Sequence, residues 1–143
     1  MVKGFENLIA TDPKTKAAQM AALHLSDLLW KYNSAEKGIE VLKKTDIGRK
    51  DLLCALVKVQ LGTLLAEQKD CKAAVDVWDQ VINNKEATFL HANVRLKQGL
   101  CYESLDQKSK AEEAYAKVKD EAKDTATARS AESYLRLLKA KTN

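Results

Sequence analysis

The histidines, cysteines and paired carboxylates are the residues that could do chemistry in this sequence, but their spacing supports none. His24 and His91 have no second histidine, cysteine or carboxylate at a metal-ligand spacing such as HxxxH or HExxH. A nucleophile pair of Cys101 with His91 would need a proximity that the spacing does not specify, so we interpret Cys101 as a packing residue. Glycine-rich phosphate loops and the GxSxG elbow are also absent from the sequence. We therefore predict a non-enzymatic protein with no catalytic residue, no metal and no cofactor.

The acidic pairs of the C-terminal half lack an arrangement for acid–base catalysis. Glu112-Glu113 and Asp120-Glu121 are interspersed with lysines, so we interpret them as members of i,i+4 salt bridges on solvated helix faces. Over the whole chain, 24 basic and 20 acidic residues give a formal charge of +4, and their interspersion favours no large field of one sign. The composition therefore predicts no nucleic-acid partner.

The elements that must position these residues are predicted to be helices, packed in one domain. The 143 residues include only one proline and five glycines, a composition typical of a chain that is helical almost throughout. Asp12-Pro13 is typical of a helix start, and Ser34 and Asp70 are candidate caps for later helices. Apolar residues recur at three- and four-residue spacing through six stretches: 17–32, 52–66, 75–82, 89–102, 111–118 and 128–138.

A repeat underlies this periodicity. Gly62 and Gly99 lie 37 residues apart in matching surroundings. The same register aligns three further pairs of positions: Ala74 with Ala111, Trp78 with Tyr115, and Val81 with Val118. A fainter upstream copy places Ser26, Gly38 and Leu42 at the glycine, alanine and aromatic positions. The chain is therefore predicted to contain three copies of one helical unit.

These residues resemble the tetratricopeptide repeat, whose signature contains Leu-Gly, a tyrosine, and alanine followed by an aromatic residue four positions later. The second copy carries Leu61-Gly62, and the third carries Gly99 and Tyr102. The tryptophan expected early in each copy is replaced by Ala22, Lys58 and Arg95. The resemblance implies an all-α, right-handed superhelical array of about three divergent helix pairs and a C-terminal capping helix. The implied ranges are approximately 19–45, 55–84 and 92–120 for the pairs, and 125–141 for the terminal helix.

The resemblance also implies why a glycine is tolerated inside a leucine-rich helix. A small residue at the eighth repeat position lets the first helix of a pair approach the second, whose small residue at the twentieth position lies opposite. The large residue four positions later fills the groove towards the next pair. Close packing would then offset the helix-propensity cost of Gly62, which is about 1 kcal/mol.

The short length, the divergent copies and the ending YLRLLKAK are similar, more loosely, to a second group. These are the periplasmic domains of bacterial membrane-anchored tetratricopeptide-like proteins related to the ancillary subunit of the Sec translocon. This resemblance implies a membrane-tethered scaffold for a secretion or envelope complex, on the periplasmic face. Any membrane association would depend on an N-terminal anchor that is absent from this sequence, because no run approaches about 20 apolar residues.

The tetratricopeptide resemblance places the concave surface on the first helix of each pair. The apolar residues implied there are the candidate partner-binding residues: Met20, Leu23, Trp30, Leu56, Val59, Leu96 and Leu100. The stretch from Leu52 to Leu65 is apolar around nearly its whole circumference, which requires burial on both sides. We therefore predict a module that recognises an apolar partner, either a hydrophobic peptide segment or a lipid-like acyl chain, together with self-association. In a competing interpretation, the segment from Gly4 to Ala10 or the final helix fills the same groove.

Overall fold

The computed structural model describes residues 1–141. Within this range the chain forms eight α-helices and one 3-10 turn at Lys85–Ala87, joined by turns and short loops, and it contains no strand, which confirms the all-α prediction. The helices are α1 (Val2–Thr11), α2 (Lys16–Lys31), α3 (Ala35–Thr45), α4 (Leu52–Glu67), α5 (Cys71–Ile82), α6 (Thr88–Ser104), α7 (Lys108–Glu121) and α8 (Ala126–Ala140). They pack as two compact units, Met1–Ala87 and a second that begins at Thr88. The association of both units into a single domain, and a superhelix continuous through all three pairs, stay predictions.

The first unit consists of two helix hairpins preceded by a single helix. Helix α2 pairs with α3, α4 pairs with α5, and both members of the first hairpin pack against α4. Helix α1 packs mainly against α2 and at fewer points against α3. It therefore occupies the place that the second helix of a preceding pair would take.

The turn inside each hairpin has the same backbone geometry in all three copies. At the fifteenth repeat position the chain adopts a left-handed conformation, at Asn33 (φ 56°), Lys69 (φ 65°) and Asp106 (φ 57°). The next residue closes the turn with a backbone hydrogen bond to the carbonyl five residues earlier, as in a Schellman motif. These bonds are Ser34 N to Leu29 O at 2.7 Å, Asp70 N to Leu65 O at 2.9 Å, and Gln107 N to Tyr102 O at 2.8 Å.

The glycines of the second and third copies lie directly beneath the aromatic ring of the same copy. A Cβ atom on Gly62 would lie 2.2 Å from Nε1 of Trp78, and one on Gly99 would lie 2.3 Å from Cε1 of Tyr115. Both rings are fully buried, and Trp78 Nε1 donates a hydrogen bond to the Val59 carbonyl at 3.2 Å. The closest neighbour of each glycine is thus the aromatic ring rather than the small residue of the second helix.

The first copy, which has no aromatic residue at this position, packs differently. A Cβ atom on Gly38 would lie 2.9 Å from Cδ1 of Leu64 and 3.4 Å from the carbonyl oxygen of Ser26. The two small residues of the first hairpin are therefore apposed as the sequence predicted, and a leucine of the next hairpin contacts the same place.

Two of the three predicted helix caps differ in the structure. Asp12 lies at the C-terminal end of α1, and α2 starts only at Lys16, where the Thr15 side chain accepts the Ala18 N–H. The Asp12-Pro13 prediction was wrong because α1 continues to Thr11, so these two residues form the turn between helices. Asp70 caps α5 as predicted, whereas Ser34 precedes α3 without a capping hydrogen bond.

In the second unit, helix α8 packs against the hairpin formed by α6 and α7. One cluster of buried residues in this unit comes from α7 and α8: Ala111, Tyr115, Val118, Ala131 and Leu138. Helix α8 begins with Thr125 as its cap, as expected for the predicted terminal helix. On its outer side Glu132 and Arg136 approach each other at 3.9 Å, so this side of α8 is charged.

Candidate functional site

Met20, Leu23 and Trp30 lie along one face of α2, because residues three, four and seven positions apart are neighbours on a helix. Met20 is 52 % exposed and Trp30 is 41 % exposed, whereas Leu23 is half-buried. Asp27 lies between Leu23 and Trp30 on the same face. The face is therefore an apolar stripe with one carboxylate in it.

The neighbouring helix α4 contributes Leu56 and Val59, both half-buried. The Gln60 side-chain amide donates a hydrogen bond to Oδ1 of Asp27 at 2.8 Å, which joins this part of α4 to the face of α2. We call the five residues Met20, Leu23, Trp30, Leu56 and Val59 the α2–α4 stripe. Sequence reasoning missed Gln60, because an amide one residue from an apolar position gives no signal until its partner is known.

Helix α1 does not cover the α2–α4 stripe. Among the described helices of the first unit, α1 packs against α2 and α3 and makes no contact with α4. Phe5 of α1 stacks on His24 at a ring-centroid distance of 6.3 Å, and Ile9 is buried. This packing leaves Met20 and Trp30 open to solvent within the unit.

Leu96 and Leu100 lie on α6, in the second unit. Leu96 is half-buried and packs against the buried cluster formed by α7 and α8. Leu100 is 41 % exposed. Leu96 therefore packs inside the second unit, and Leu100 is the more accessible of the two predicted binding residues.

Glu103, which the sequence analysis did not select, forms a hydrogen bond inside the second unit. The Tyr115 hydroxyl donates a hydrogen bond to Oε1 of Glu103 at 2.6 Å, and its ring stacks on Tyr134 at a centroid distance of 5.7 Å. Burial raises the pKa of Tyr115, and the hydrogen bond and negative charge of Glu103 raise it further. The hydroxyl therefore stays protonated in the folded protein at pH values where a free tyrosine ionises.

We expect Tyr115→Phe to change the alkaline limb of the stability profile. A tyrosine whose pKa is raised by folding contributes stability that is fully present below its unfolded pKa of about 10 and is lost as pH rises above it. The phenylalanine variant should therefore lose less free energy of unfolding between neutral pH and pH of about 11. At neutral pH it should be less stable by about 1 kcal/mol, because the bond to Glu103 is gone.

Urea unfolding at several pH values measures both effects. Tyr32→Phe is the matched control, since the Tyr32 ring is 79 % exposed, and it should change neither value. Equal alkaline slopes for the wild type and Tyr115→Phe would contradict the prediction.

Cations occupy the fourth repeat position of the second and third copies, where the resemblance leads one to expect tryptophan. Lys58 is buried, and its ammonium group forms a salt bridge with Asp46, whose side chain is 22 % exposed. In the third copy Arg95 pairs with Glu121 at 3.0 Å. Asp46 directly follows α3, and Glu121 is the last residue of α7, so each cation pairs with a carboxylate at the C-terminal end of a neighbouring helix.

The other predicted salt bridges are formed in part. Lys117 pairs with Glu113 at 2.7 Å in i,i+4 spacing, and this pairing lowers the pKa of Glu113. Glu121 instead pairs with Arg95, from the first helix of its own copy. Of the four carboxylates in the two acidic pairs, Glu113 and Glu121 therefore belong to these ion pairs.

No metal-binding group of three or more histidine, cysteine or carboxylate side chains occurs among residues 1–141. In the same range, no buried side-chain nitrogen or oxygen lacks a hydrogen-bond partner. None of the helices described is long and apolar enough to cross a membrane.

Comparison with known proteins decides the class of fold. A family model described as tetratricopeptide repeat matches residues 94–125, from within α6 to the end of the turn after α7. A crystal structure of MamA matches with a TM-score of 0.66 at 19 % identity, over 99 % of this chain and 86 % of that one. The chain is a tetratricopeptide-repeat-like protein. Folds of this type are typically non-catalytic and serve protein interaction and assembly.

A second crystal structure of the MamA protein resembles this tetratricopeptide-repeat-like chain equally well. Its TM-score is 0.66 at 19 % identity, over 96 % of this chain and 74 % of that one. Identity this low extends the likeness to the fold alone. A search of curated protein sequences found no significant match. The narrower resemblance to proteins related to the Sec translocon stays a prediction.

Proposed function

We propose that the α2–α4 stripe recognises an apolar partner, and that the preferred partner is the apolar face of an amphipathic helical peptide. The carrying observation is the exposure of Met20 and Trp30 on the same face of a helix that is otherwise well packed. Isolated exposed apolar residues are common, but a large flexible side chain and an aromatic ring aligned along one helix are typical of peptide-binding surfaces.

The geometry of the stripe favours a peptide over an acyl chain. Asp27 and Gln60 place a hydrogen-bonded carboxylate and amide among the apolar side chains, 2.8 Å apart. A peptide can pair its own polar side chains or backbone ends with these groups, whereas an acyl chain would desolvate them without a partner. Self-association is proposed to use Leu100, because Leu96 is engaged in internal packing.

The test uses peptides selected from a displayed library of helical sequences against the wild-type protein. Peptides with apolar residues at i, i+3, i+4 and i+7 should be enriched. The double variant Trp30→Ala/Leu56→Asp should bind them at least about tenfold more weakly, since loss of one central aromatic contact and introduction of a charge each cost more than about 1 kcal/mol. Its helical circular dichroism should match that of the wild type.

Leu137→Ala is the control variant, because Leu137 is 58 % exposed on α8 and lies outside the stripe. It should bind the selected peptides like the wild type. Equal affinity of the double variant and the control, together with an unchanged mass in sedimentation equilibrium, would rule out this function for the stripe. Enrichment of no peptide, with retention of fatty acid in native mass spectrometry, would assign the stripe to acyl chains instead.

A further inference from the structure

Most of the excess positive charge of the chain lies at one edge of the first unit. The connections α1–α2 and α3–α4 lie at the same end of these helices, and Arg49 Nη2 donates a hydrogen bond to the Lys14 carbonyl at 3.2 Å. We call the exposed cations of these connections and the adjoining helix ends the basic edge: Lys14, Lys16, Lys43, Lys44, Arg49 and Lys50. With buried Lys58 they are seven basic residues, against three aspartates of the same connections and Glu40, one helical turn before Lys43 and Lys44, so the local excess is three positive charges. The rest of the chain is nearly balanced, with seventeen basic and sixteen acidic residues.

The three aspartates near the basic edge are engaged in holding the backbone and a buried lysine. Asp12 accepts the Lys14 N–H at 3.2 Å, and Asp46 pairs with Lys58. Asp51 caps α4 by accepting the Cys54 N–H at 3.0 Å, which lowers the pKa of its carboxyl group. The positive charges of Arg49 and Lys16 also lower that pKa.

The hydrogen bond from Arg49 goes to the Lys14 carbonyl, which carries no formal charge to balance the guanidinium group. Within the part of the chain that the structure describes, no carboxylate lies within salt-bridge distance of any of the six side chains of the basic edge. Six solvated cations that share one edge repel each other, and an anionic partner would relieve this repulsion.

A pocket of about 240 Å³ opens beside the basic edge. Its lining includes Lys50 and Lys58 from the α3–α4 side, and Gln80, Asn83 and Asn84 from the end of α5. The Asn84 side chain donates a hydrogen bond to the Lys50 carbonyl at 3.0 Å, which fixes the two sides to each other. The volume lies below the roughly 300 Å³ at which pockets for small molecules begin, and it suits a single side chain.

From these contacts we propose that the basic edge binds an acidic peptide segment, and that the pocket receives one carboxylate-bearing side chain of it. Ammonium and amide N–H groups are the donors that a carboxylate requires. The residues of the edge and pocket include no aromatic ring on which nucleic-acid bases would stack. A recess of side-chain size also favours a peptide with protruding side chains over the flat surface of a bilayer. This surface lies on helix connections and is separate from the α2–α4 stripe.

Fluorescence anisotropy with a labelled peptide of alternating glutamate and serine tests the proposal. The wild type should bind at low salt and lose affinity as salt is raised. Arg49→Gln/Lys50→Gln should bind about fivefold more weakly, as expected for the loss of two exposed charge contacts. The matched control Lys37→Gln/Lys72→Gln removes two exposed lysines near the opposite end of the same unit and should retain wild-type affinity.

A second pair of variants tests the pocket. Gln80→Glu introduces a negative charge into the lining and should weaken binding of the glutamate peptide by about threefold, whereas Gln68→Glu in the α4–α5 turn should not. The proposal would be overturned if each variant and its control changed the affinity for the glutamate peptide by the same factor. So would binding of labelled oligothymidine or phosphatidylserine vesicles with none of the peptide, which would assign the edge to nucleic acid or to membrane.

Discussion

Trp78→Ala is expected to lower the free energy of unfolding by about 3–5 kcal/mol, the usual range for removing a large buried aromatic side chain. The Trp78 ring is 1 % exposed and fills the space above Gly62, which has no Cβ atom to occupy the resulting cavity. The substitution also leaves the Val59 carbonyl without the indole N–H that it accepts at 3.2 Å. Urea unfolding followed by circular dichroism measures the loss.

The second tryptophan provides a control of the same chemistry in a different environment. Trp30 is 41 % exposed, so Trp30→Ala should cost less than about 1 kcal/mol while affecting partner binding as proposed for the α2–α4 stripe. If both substitutions destabilised the protein equally, the distinction between a packing and a binding tryptophan would fail.

Gly62→Ala is expected to destabilise the protein by about 2 kcal/mol, although alanine is the better helix former by about 1 kcal/mol. The new methyl group would lie 2.2 Å from Nε1, 2.5 Å from Cε2 and 2.6 Å from Cδ1 of the Trp78 ring. A buried ring cannot yield by a rotamer change without opening the core around it, so the backbones of α4 and α5 must separate. Chemical unfolding gives the value directly.

Gly4→Ala separates this steric effect from helix propensity. No atom outside its own helix turn lies within 4 Å of a Cβ atom at Gly4, which belongs to α1. The control should be neutral or stabilising by up to about 1 kcal/mol. In addition, Gly62→Ala should cost less in a Trp78→Phe background, because a smaller ring leaves room for the methyl group. Equal costs in both backgrounds would show that the ring is not the cause.

The local repeat could be predicted from the sequence because its signal depends on residues close together in the chain. Gly62 and Trp78 are sixteen positions apart with one turn between them, so a small and a large residue at this spacing must meet across a hairpin. Helix α1 gave a weaker signal: it is ten residues long, and Asp12-Pro13 after it also fits the start of a helix. That ambiguity explains the wrong start predicted for α2.

The surfaces could be predicted less completely than the helices. The apolar character of Met20 and Trp30 is visible in the sequence, but whether Leu96 faces a partner or its own core depends on how α8 packs. The basic edge was hidden because Lys14 and Arg49 are 35 residues apart, and only the antiparallel course of the helices brings them together. Interspersed charges in a sequence therefore do not exclude a charged surface in the fold.

The left-handed residues of the three hairpin turns also bear on how this protein can adapt to temperature. Lys69 carries its side chain in a conformation that glycine adopts at lower energy, by about 1 kcal/mol, and the difference is smaller at Asn33 and Asp106 because Asn and Asp tolerate this conformation. Substitution by glycine at these turns would therefore raise the thermal stability of the protein and leave both proposed recognition surfaces unchanged. Residues other than glycine are expected to persist at these turns where selection maintains sufficient rather than maximal stability.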